Sequence, residues 1–241
     1  LKGAGRAPPR ELPRPPRRGR PWMPPCDDRP ARPGLFDELY AEPEGAPWDI
    51  GKPQEELVWA VWNGEVLGPR VLDVGCGTGD NAVLLAMHGF QVVAFDFHEA
   101  AVALTRERAA AAGDLRGSVS VYQADVFRLA EVPEIGEARF DTAVDSAVLH
   151  CIGVDEEQEC YLDVLAQRVR QGGRLVLQAL SDRNPDPWVG PPRRLSEERA
   201  RRLLCEETGW RVLDLRHCLL YSSMGLPGGA GHALFIVAER L

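Results

Sequence analysis

A carboxylate, three glycines set two residues apart and a second carboxylate 21 positions beyond the first glycine form the chemically richest stretch of this chain: Asp73, then Gly75, Gly77 and Gly79, then Asp96. The apolar pair Val71-Leu72 leads into Asp73, and a helix-like segment from Asn81 to Phe90 follows the last glycine. That pattern reads as a buried strand turning sharply into a helix. Glycine suits such a turn, because the backbone must bend tightly and a ligand can approach closer than a side chain would permit. The next apolar run, Gln91 to Phe97, carries Asp96 near its end. This is about the distance at which a nucleotide-binding strand-helix-strand unit presents a carboxylate to ribose hydroxyls. A dinucleotide site favours G-x-G-x-x-G, with a pyrophosphate on the helix N-terminus, whereas this loop is G-x-G-x-G behind an acid. The spacing therefore argues against a dinucleotide.

Downstream, helix-like and strand-like units alternate with the rhythm of a parallel sheet. Glu99 to Ala112 is an alanine-rich helix ended by Gly113, Val119 to Asp125 a third strand, and Phe140 to Ser146 a fourth. Asp155 to Gln171 carries Leu162, Leu165, Ala166 and Val169 on one face and runs into Gly172-Gly173, as an amphipathic helix with a glycine stop does. Arg174 to Leu180 reads as the fifth strand, and Ser196 to Thr208 as a helix with glutamates in its first turn, where they suit the dipole. The last part breaks the alternation. Trp210 to Leu220 and His232 to Arg240 both read as strands, and the glycine-rich Gly225 to Gly231 between them leaves no room for a helix. The two should pair antiparallel. In open α/β sheets ligands bind at the carboxyl ends of the strands, so Asp73, Asp96, Asp125 and Asp145 are the acids to consider, with His150 in the loop after the fourth strand.

On these residues the chain resembles the class I S-adenosylmethionine-dependent methyltransferases. The string DVGCGTG, residues 73–79, is similar to their first motif, and an antiparallel last strand beside the sixth is similar to their topology. The resemblance implies an α/β, Rossmann-like, doubly wound seven-stranded sheet, with six parallel strands, an antiparallel last strand and helices on both faces. It implies S-adenosyl-L-methionine as cofactor and S-adenosyl-L-homocysteine as product. Carried over, Gly75, Cys76, Gly77 and Gly79 would face the methionine part of the cofactor and Asp73 would hold its amine. Asp96 would accept from the ribose hydroxyls, Phe97 would lie against the adenine, and Asp125 with Val126 would meet the adenine amino group. Asp145 would point toward the methyl region. Cys76 reads as a small residue in the turn, and His98 departs from the small helix-capping residue common at that position in the family.

The string Pro47-Trp48-Asp49-Ile50-Gly51 is similar to the lid segment of small-molecule members, thiol- and thiopurine-type enzymes among them. Trp48 is the candidate lid residue, the alternative being a Trp packed under the cap. Methyl transfer asks the protein mainly for alignment and exclusion of water. A base is needed only for a hydroxyl, thiol or protonated amine acceptor, and His150 is the best-placed candidate, with packing as the alternative. The loop Ser181 to Leu195, with Asp182, Trp188, Arg193 and Arg194, should wall the acceptor site; its arginine pair could bind an acidic acceptor or simply flank the next helix in solvent. The fourth-strand motif DTAVDS is unlike the one that many DNA-base methylating members carry. Competing readings are a nicotinamide-dependent oxidoreductase and a non-catalytic S-adenosylmethionine-binding module.

The 241 residues allow one sizeable α/β domain, assigned to 35–241 with a helical lid over 35–67. Residues 1–34 are dominated by Pro, Arg and Gly, a composition that cannot bury enough apolar surface to offset ordering entropy, and are expected to be disordered. The first Met is Met23, so residues 1–22 are expected to lie outside the native product. The net charge is −8, with Lys2 and eight arginines in the tail set against Glu11, Asp27 and Asp28, which leaves the body strongly acidic. An acidic body disfavours nucleic acid, whose binding draws on phosphate neutralisation. No apolar run approaches the roughly 20 residues that span a bilayer, so no membrane partner is expected. The six cysteines form no C-x-x-C pair and no zinc-like cluster, and free thiols in a reducing cytoplasm, without a metal, are the expectation. The partner is then a small-molecule methyl acceptor.

Overall fold

The computed structural model of the protein describes residues 36, 39, 40, 46, 48–184, 192–222 and 229–241. The expectations for the N-terminal tail and for Trp188 lie outside these residues. Phe36, Leu39 and Tyr40 are helical. The remaining elements are α1 Glu55–Trp62, β1 Arg70–Val74, α2 Asp80–Met87, β2 Gln91–Asp96, α3 Glu99–Ala111, β3 Ser118–Gln123, α4 Pro133–Gly136, β4 Phe140–Ser146, α5 Asp155–Arg168, β5 Val169–Leu180, α6 Glu197–Leu203, β6 Trp210–Tyr221 and β7 Ala230–Arg240. Short 3-10 turns occupy Val126–Glu131, Leu149–Cys151 and Glu206–Thr208.

The strands form one seven-stranded sheet in the order β3-β2-β1-β4-β5-β7-β6. The pairs among β1 to β5 are parallel, while β7 runs antiparallel to both β5 and β6. This is the doubly wound Rossmann-like sheet implied by the resemblance. The period of two along each strand divides the core into two layers. Leu72, Val74, Leu175, Leu177, Leu234 and Ile236 face one layer, covered by α4, α5 and α6 through Ile135, Leu162, Leu165 and Leu203. Val71, Val176, Phe235 and Val237 face the other, covered by α1, α2 and α3 through Leu57, Leu85 and Val102. The order reverses direction at β1, between β2 and β4, which makes the carboxyl end of β1 the switch-point crevice where such sheets bind ligands.

Several element ends differ from the sequence expectation. Helix α5 stops at Arg168, short of Gln171, and the chain enters β5 at once: Val169 pairs with Phe140, the register is then interrupted, and pairing resumes at Arg174 with Thr142. The intervening bulge is pinned by Arg170, whose Nε donates to Asp141 Oδ1 at 2.6 Å, while Asp141 Oδ2 accepts the N–H of Arg70. Strand β3 ends at Gln123, because Asp125 turns to cap the following 3-10 turn by accepting the Phe127 N–H at 2.9 Å. The helix expected over 196–208 splits into α6 and a 3-10 turn, where the Thr208 hydroxyl donates to the carbonyl oxygens of Leu203 and Cys205. Cys76, Cys151, Cys205 and Cys218 are free thiols; Cys160 is disulfide-bonded, a correction to the expectation of free thiols throughout.

Leu165 is fully buried on α5 in the layer shared with β5 and β7. Leu165→Ala is expected to lower unfolding free energy by about 2 to 5 kcal/mol, read as a fall in urea midpoint with an unchanged slope. A loss well under about 1 kcal/mol would mean that this layer is not packed as described.

Candidate functional site

The glycine loop leaves β1 at Val74 and starts α2 at Asp80. Gly75, Gly77 and Gly79 have φ of 60°, 55° and 90°, the left-handed region that disfavours side chains. At Gly75 space forbids one as well, since a Cβ would lie 2.4 Å from Val148 Cγ2. The loop is tied to its neighbours at each residue. Cys76 N–H donates to Phe95 O at 2.9 Å, and Gly77 N–H to Asp96 Oδ2 at 2.9 Å. Thr105 of α3 donates its hydroxyl to Gly77 O at 2.9 Å and touches Cys76 Sγ at 3.4 Å. Burial pushes the Cys76 thiol well up, so it stays protonated and acts as a small packed residue.

Three buried carboxylates converge on this loop. Asp73 is 1% exposed, and its Oδ2 has no hydrogen-bond partner among the described residues. Burial first, then the charges of Asp96 and Asp145, push its pKa up to about 8. Asp96 is buried and accepts the N–H groups of Gly77 and His98 at 2.9 and 3.0 Å. Burial raises its pKa against the pull of those bonds. Each of its oxygens accepts one backbone bond and retains capacity for another.

Asp145 is arranged differently from the expectation that it points toward the methyl region. It accepts the N–H of Val148 at 2.7 Å, the N–H of Leu149 at 3.1 Å and the Tyr161 hydroxyl at 2.7 Å. Burial lifts its pKa, and these donors limit the net rise to about 6. The carboxylate is spent on its own loop, whose Ala147 sits at φ 77° and whose Val148 abuts Gly75. Through these bonds Asp145 holds the loop that abuts Gly75.

Over the loop lies an aromatic cluster that the sequence revealed only in part. Trp48 Nε1–H donates to the Tyr40 hydroxyl at 3.3 Å. Phe36 and Tyr40 both pack on Trp48 and on His98, with ring centroids 5.3 to 5.9 Å apart. A Cβ on Gly77 would lie 3.6 Å from the Tyr40 hydroxyl and 3.8 Å from Trp48 Nε1. Burial and the charge of Asp96 push the Tyr40 phenol far up, so it remains a neutral O–H donor. Tyr40 and Phe36 were missed as site residues. Their i, i+4 spacing within the helical lid expected over 35–67 was the available signal. Phe97 is half-buried and packs edge-on against His98 at 5.2 Å, and Val126 packs on the core at the start of its 3-10 turn.

His150, the candidate base, lies just beyond β4 in the 3-10 turn Leu149–Cys151. Its Nδ1 accepts the N–H of Leu180 at 3.0 Å, which leaves the ring proton on Nε2 in the neutral form. The ring is buried, and burial together with the Arg194 charge lowers its pKa to about 3. A general base works best with a pKa near the operating pH, and burial works against that here. It lines a small cavity of about 20 Å³ with Gln158, Arg193, Arg194 and Arg199. The acceptor-wall arginines are engaged there: Arg193 pairs with Asp155 at 2.6 Å, and Arg194 Nη1 donates to Pro192 O at 3.0 Å.

This geometry accords with what known proteins show. A family model described as a methyltransferase domain matches residues 71–173. A 2-heptyl-1-hydroxyquinolin-4(1H)-one methyltransferase of Mycobacteroides abscessus is 29% identical over 189 residues, 78% of this chain and 77% of that protein. An uncharacterized methyltransferase of Schizosaccharomyces pombe is 30% identical over 130 residues, 53% of this chain and 84% of that protein. A structure solved for the conversion of a disulfide bond into a thioacetal group during echinomycin biosynthesis superposes with a TM-score of 0.69 at 28% identity, covering 85% of this chain and 91% of that one. The chain belongs to the S-adenosylmethionine-dependent methyltransferases. Its cofactor is S-adenosylmethionine, and the nicotinamide alternative falls with that assignment. The unpartnered, buried oxygen of Asp73 beside a glycine-lined turn suits a ligand that carries an ammonium group and a sulfonium.

The pH dependence follows from Asp73. Its folded pKa is raised, so its contribution to stability is full below the ordinary carboxylate range and is lost as pH rises through about 8. A bound ammonium favours the ionised form. Affinity for S-adenosylhomocysteine is therefore expected to climb from about pH 6 and level off near the folded value. Asp73→Asn should raise the Tm of the ligand-free protein at alkaline pH while weakening binding. A flat affinity profile across that range would contradict the raised pKa.

Proposed function

We propose that this protein transfers the methyl group of S-adenosylmethionine to a small-molecule acceptor. The observation that carries the reading is the buried Asp73 carboxylate, which has an oxygen without a partner behind the glycine turn. The acceptor class rests on the relatives: the mycobacterial protein bears the name of a hydroxyquinolone methyltransferase, and the echinomycin structure concerns a sulfur-containing product. The acidic body argues in the same direction, since it disfavours a nucleic-acid acceptor.

When bound, the cofactor supplies a methyl group already activated on a positive sulfur. In the proposed roles Asp73 holds the amine, Asp96 takes the ribose hydroxyls, and Phe97, Asp125 and Val126 line the adenine end. Asp125 would do so with the carboxylate face left by its capping bond to Phe127. The backbone of Gly75, Cys76, Gly77 and Gly79 lets the methionine part approach. Trp48 and Tyr40 cover it and exclude water. Asp145 keeps Val148 against Gly75, and so shapes the wall beside the reacting atoms. The acceptor must arrive in line with the breaking S–CH3 bond; its lone pair forms the new bond, and the old bonding pair stays on sulfur. With His150 neutral, the acceptor proton leaves to water, which suits a thiol, an N-hydroxy heterocycle or an acidic phenol that ionises near neutral pH.

A screen of thiols, phenols, hydroxylated heterocycles and amines, scored by S-adenosylhomocysteine formed, is expected to return turnover with an acceptor of this ionisable kind. Turnover confined to a nucleic acid or a protein would overturn the acceptor class. Within an active pair, His150→Gln is expected to affect Tm more than kcat. A fall in kcat of about 10² or more at normal cofactor affinity would restore His150 as the base.

A further inference from the structure

Helix α3 reaches the glycine loop at two points one turn apart. Thr105 donates to Gly77 O at 2.9 Å and lies so close to Gly79 that a Cβ there would meet the Thr105 backbone at 2.9 Å. Arg108, three residues on, carries a guanidinium with partners in two different parts of the chain. Its Nη1 donates to the Thr78 hydroxyl at 3.0 Å and forms a close ion pair with Asp80, both at the start of α2. Its Nη2 pairs with Asp49 Oδ2 at 3.1 Å. Asp49 follows Trp48 directly, and its other oxygen accepts the Gly51 N–H at 2.9 Å, so the carboxylate is fixed in the turn that presents Trp48. The side chains of Arg108, Asp49 and Asp80 are 32%, 22% and 18% exposed, which makes this a largely desolvated charge cluster. Such clusters are screened less than surface pairs.

One guanidinium, which belongs to neither, thus joins the turn carrying Trp48 to the loop it covers. The other described contacts of the Trp48 and Tyr40 side chains are their bond to each other and ring contacts among Phe36, Tyr40, Trp48 and His98. The planar guanidinium fork fixes Asp49 relative to Thr78 and Asp80. We propose that Arg108 is a positioning residue, the latch that keeps Trp48 and Tyr40 closed over the glycine loop, so that cofactor exchange requires the Asp49–Arg108 contact to break. The consequence for turnover rests on the reading of that loop as the cofactor site; the latch itself does not.

Two measurements test it. The first is hydrogen exchange of the ligand-free protein, comparing the segment around 46–51 with helix α5 in wild type and Arg108→Met. The latch predicts exchange about fivefold faster or more in the lid segment, the size of one partly buried ion pair, with α5 unchanged and Arg108→Lys intermediate. Equal exchange in the lid segment overturns the proposal. The second is the dissociation rate of S-adenosylhomocysteine in Asp49→Asn, which keeps the acceptor for Gly51 and leaves the Arg108 to Asp80 pair intact. A rise of about fivefold, absent when Trp48 is already replaced by Ala, is expected of a lid latch, because effects in one chain of contacts do not add. An unchanged rate in Asp49→Asn overturns it even if Arg108→Met fails to fold. Were wild type not to bind S-adenosylhomocysteine, the cofactor reading would fail while hydrogen exchange still decided the latch.

Discussion

A buried carboxylate oxygen without a partner is costly, and among the described residues Asp73 Oδ2 is one, an arrangement that a ligand bringing a positive charge would relieve. The strand that carries it is interior to the sheet, paired to β2 on one side and β4 on the other. Asp73 therefore cannot turn out to solvent without breaking the centre of the fold. Two further acids, Asp96 and Asp145, raise its pKa more. Negative potential concentrated in this way disfavours an anionic ligand such as a pyrophosphate and favours a cation. The glycine turn supplies the complementary feature, a backbone that a ligand can approach.

What surrounds this centre divides into parts that bear charge and parts that place them. Asp145 belongs to the second kind. Its oxygens are taken by Val148, Leu149 and Tyr161, which fixes the loop after β4 against Gly75. Helix α3 likewise does no chemistry, yet through Thr105 and Arg108 it grips the glycine loop and the lid together. Both devices suit a reaction in which positioning and exclusion of water matter more than proton transfer.

The parts of this protein legible in its sequence were those governed by local backbone demands. The DVGCGTG turn announced itself because glycine at positive φ leaves a compositional trace, and Asp96 because a strand must end where a ligand begins. The antiparallel end of the sheet was readable since Gly225 to Gly231 is too short for a crossover helix. Side-chain direction left no such trace. Asp145 stands at the end of β4 and His150 in the turn that follows it, positions from which a ligand could be reached, but their bonds go to Tyr161 and to the Leu180 N–H. The bulge before Arg174 depends on the Arg170 to Asp141 contact across the sheet, and periodicity alone reads through it as helix. Tyr40 escaped notice because its role depends on meeting Trp48 and His98 from elsewhere in the chain.

The central claim is that the crevice at the end of β1 takes S-adenosylmethionine, and calorimetric titration with S-adenosylhomocysteine and with NADH side by side tests it most directly. The account predicts saturable one-site binding of S-adenosylhomocysteine, weakened by about 1.5 to 3 kcal/mol in a folded Asp96→Ala variant, and no heat with NADH. Binding of NADH without S-adenosylhomocysteine, or affinity indifferent to the loss of the Asp96 carboxylate, would contradict it.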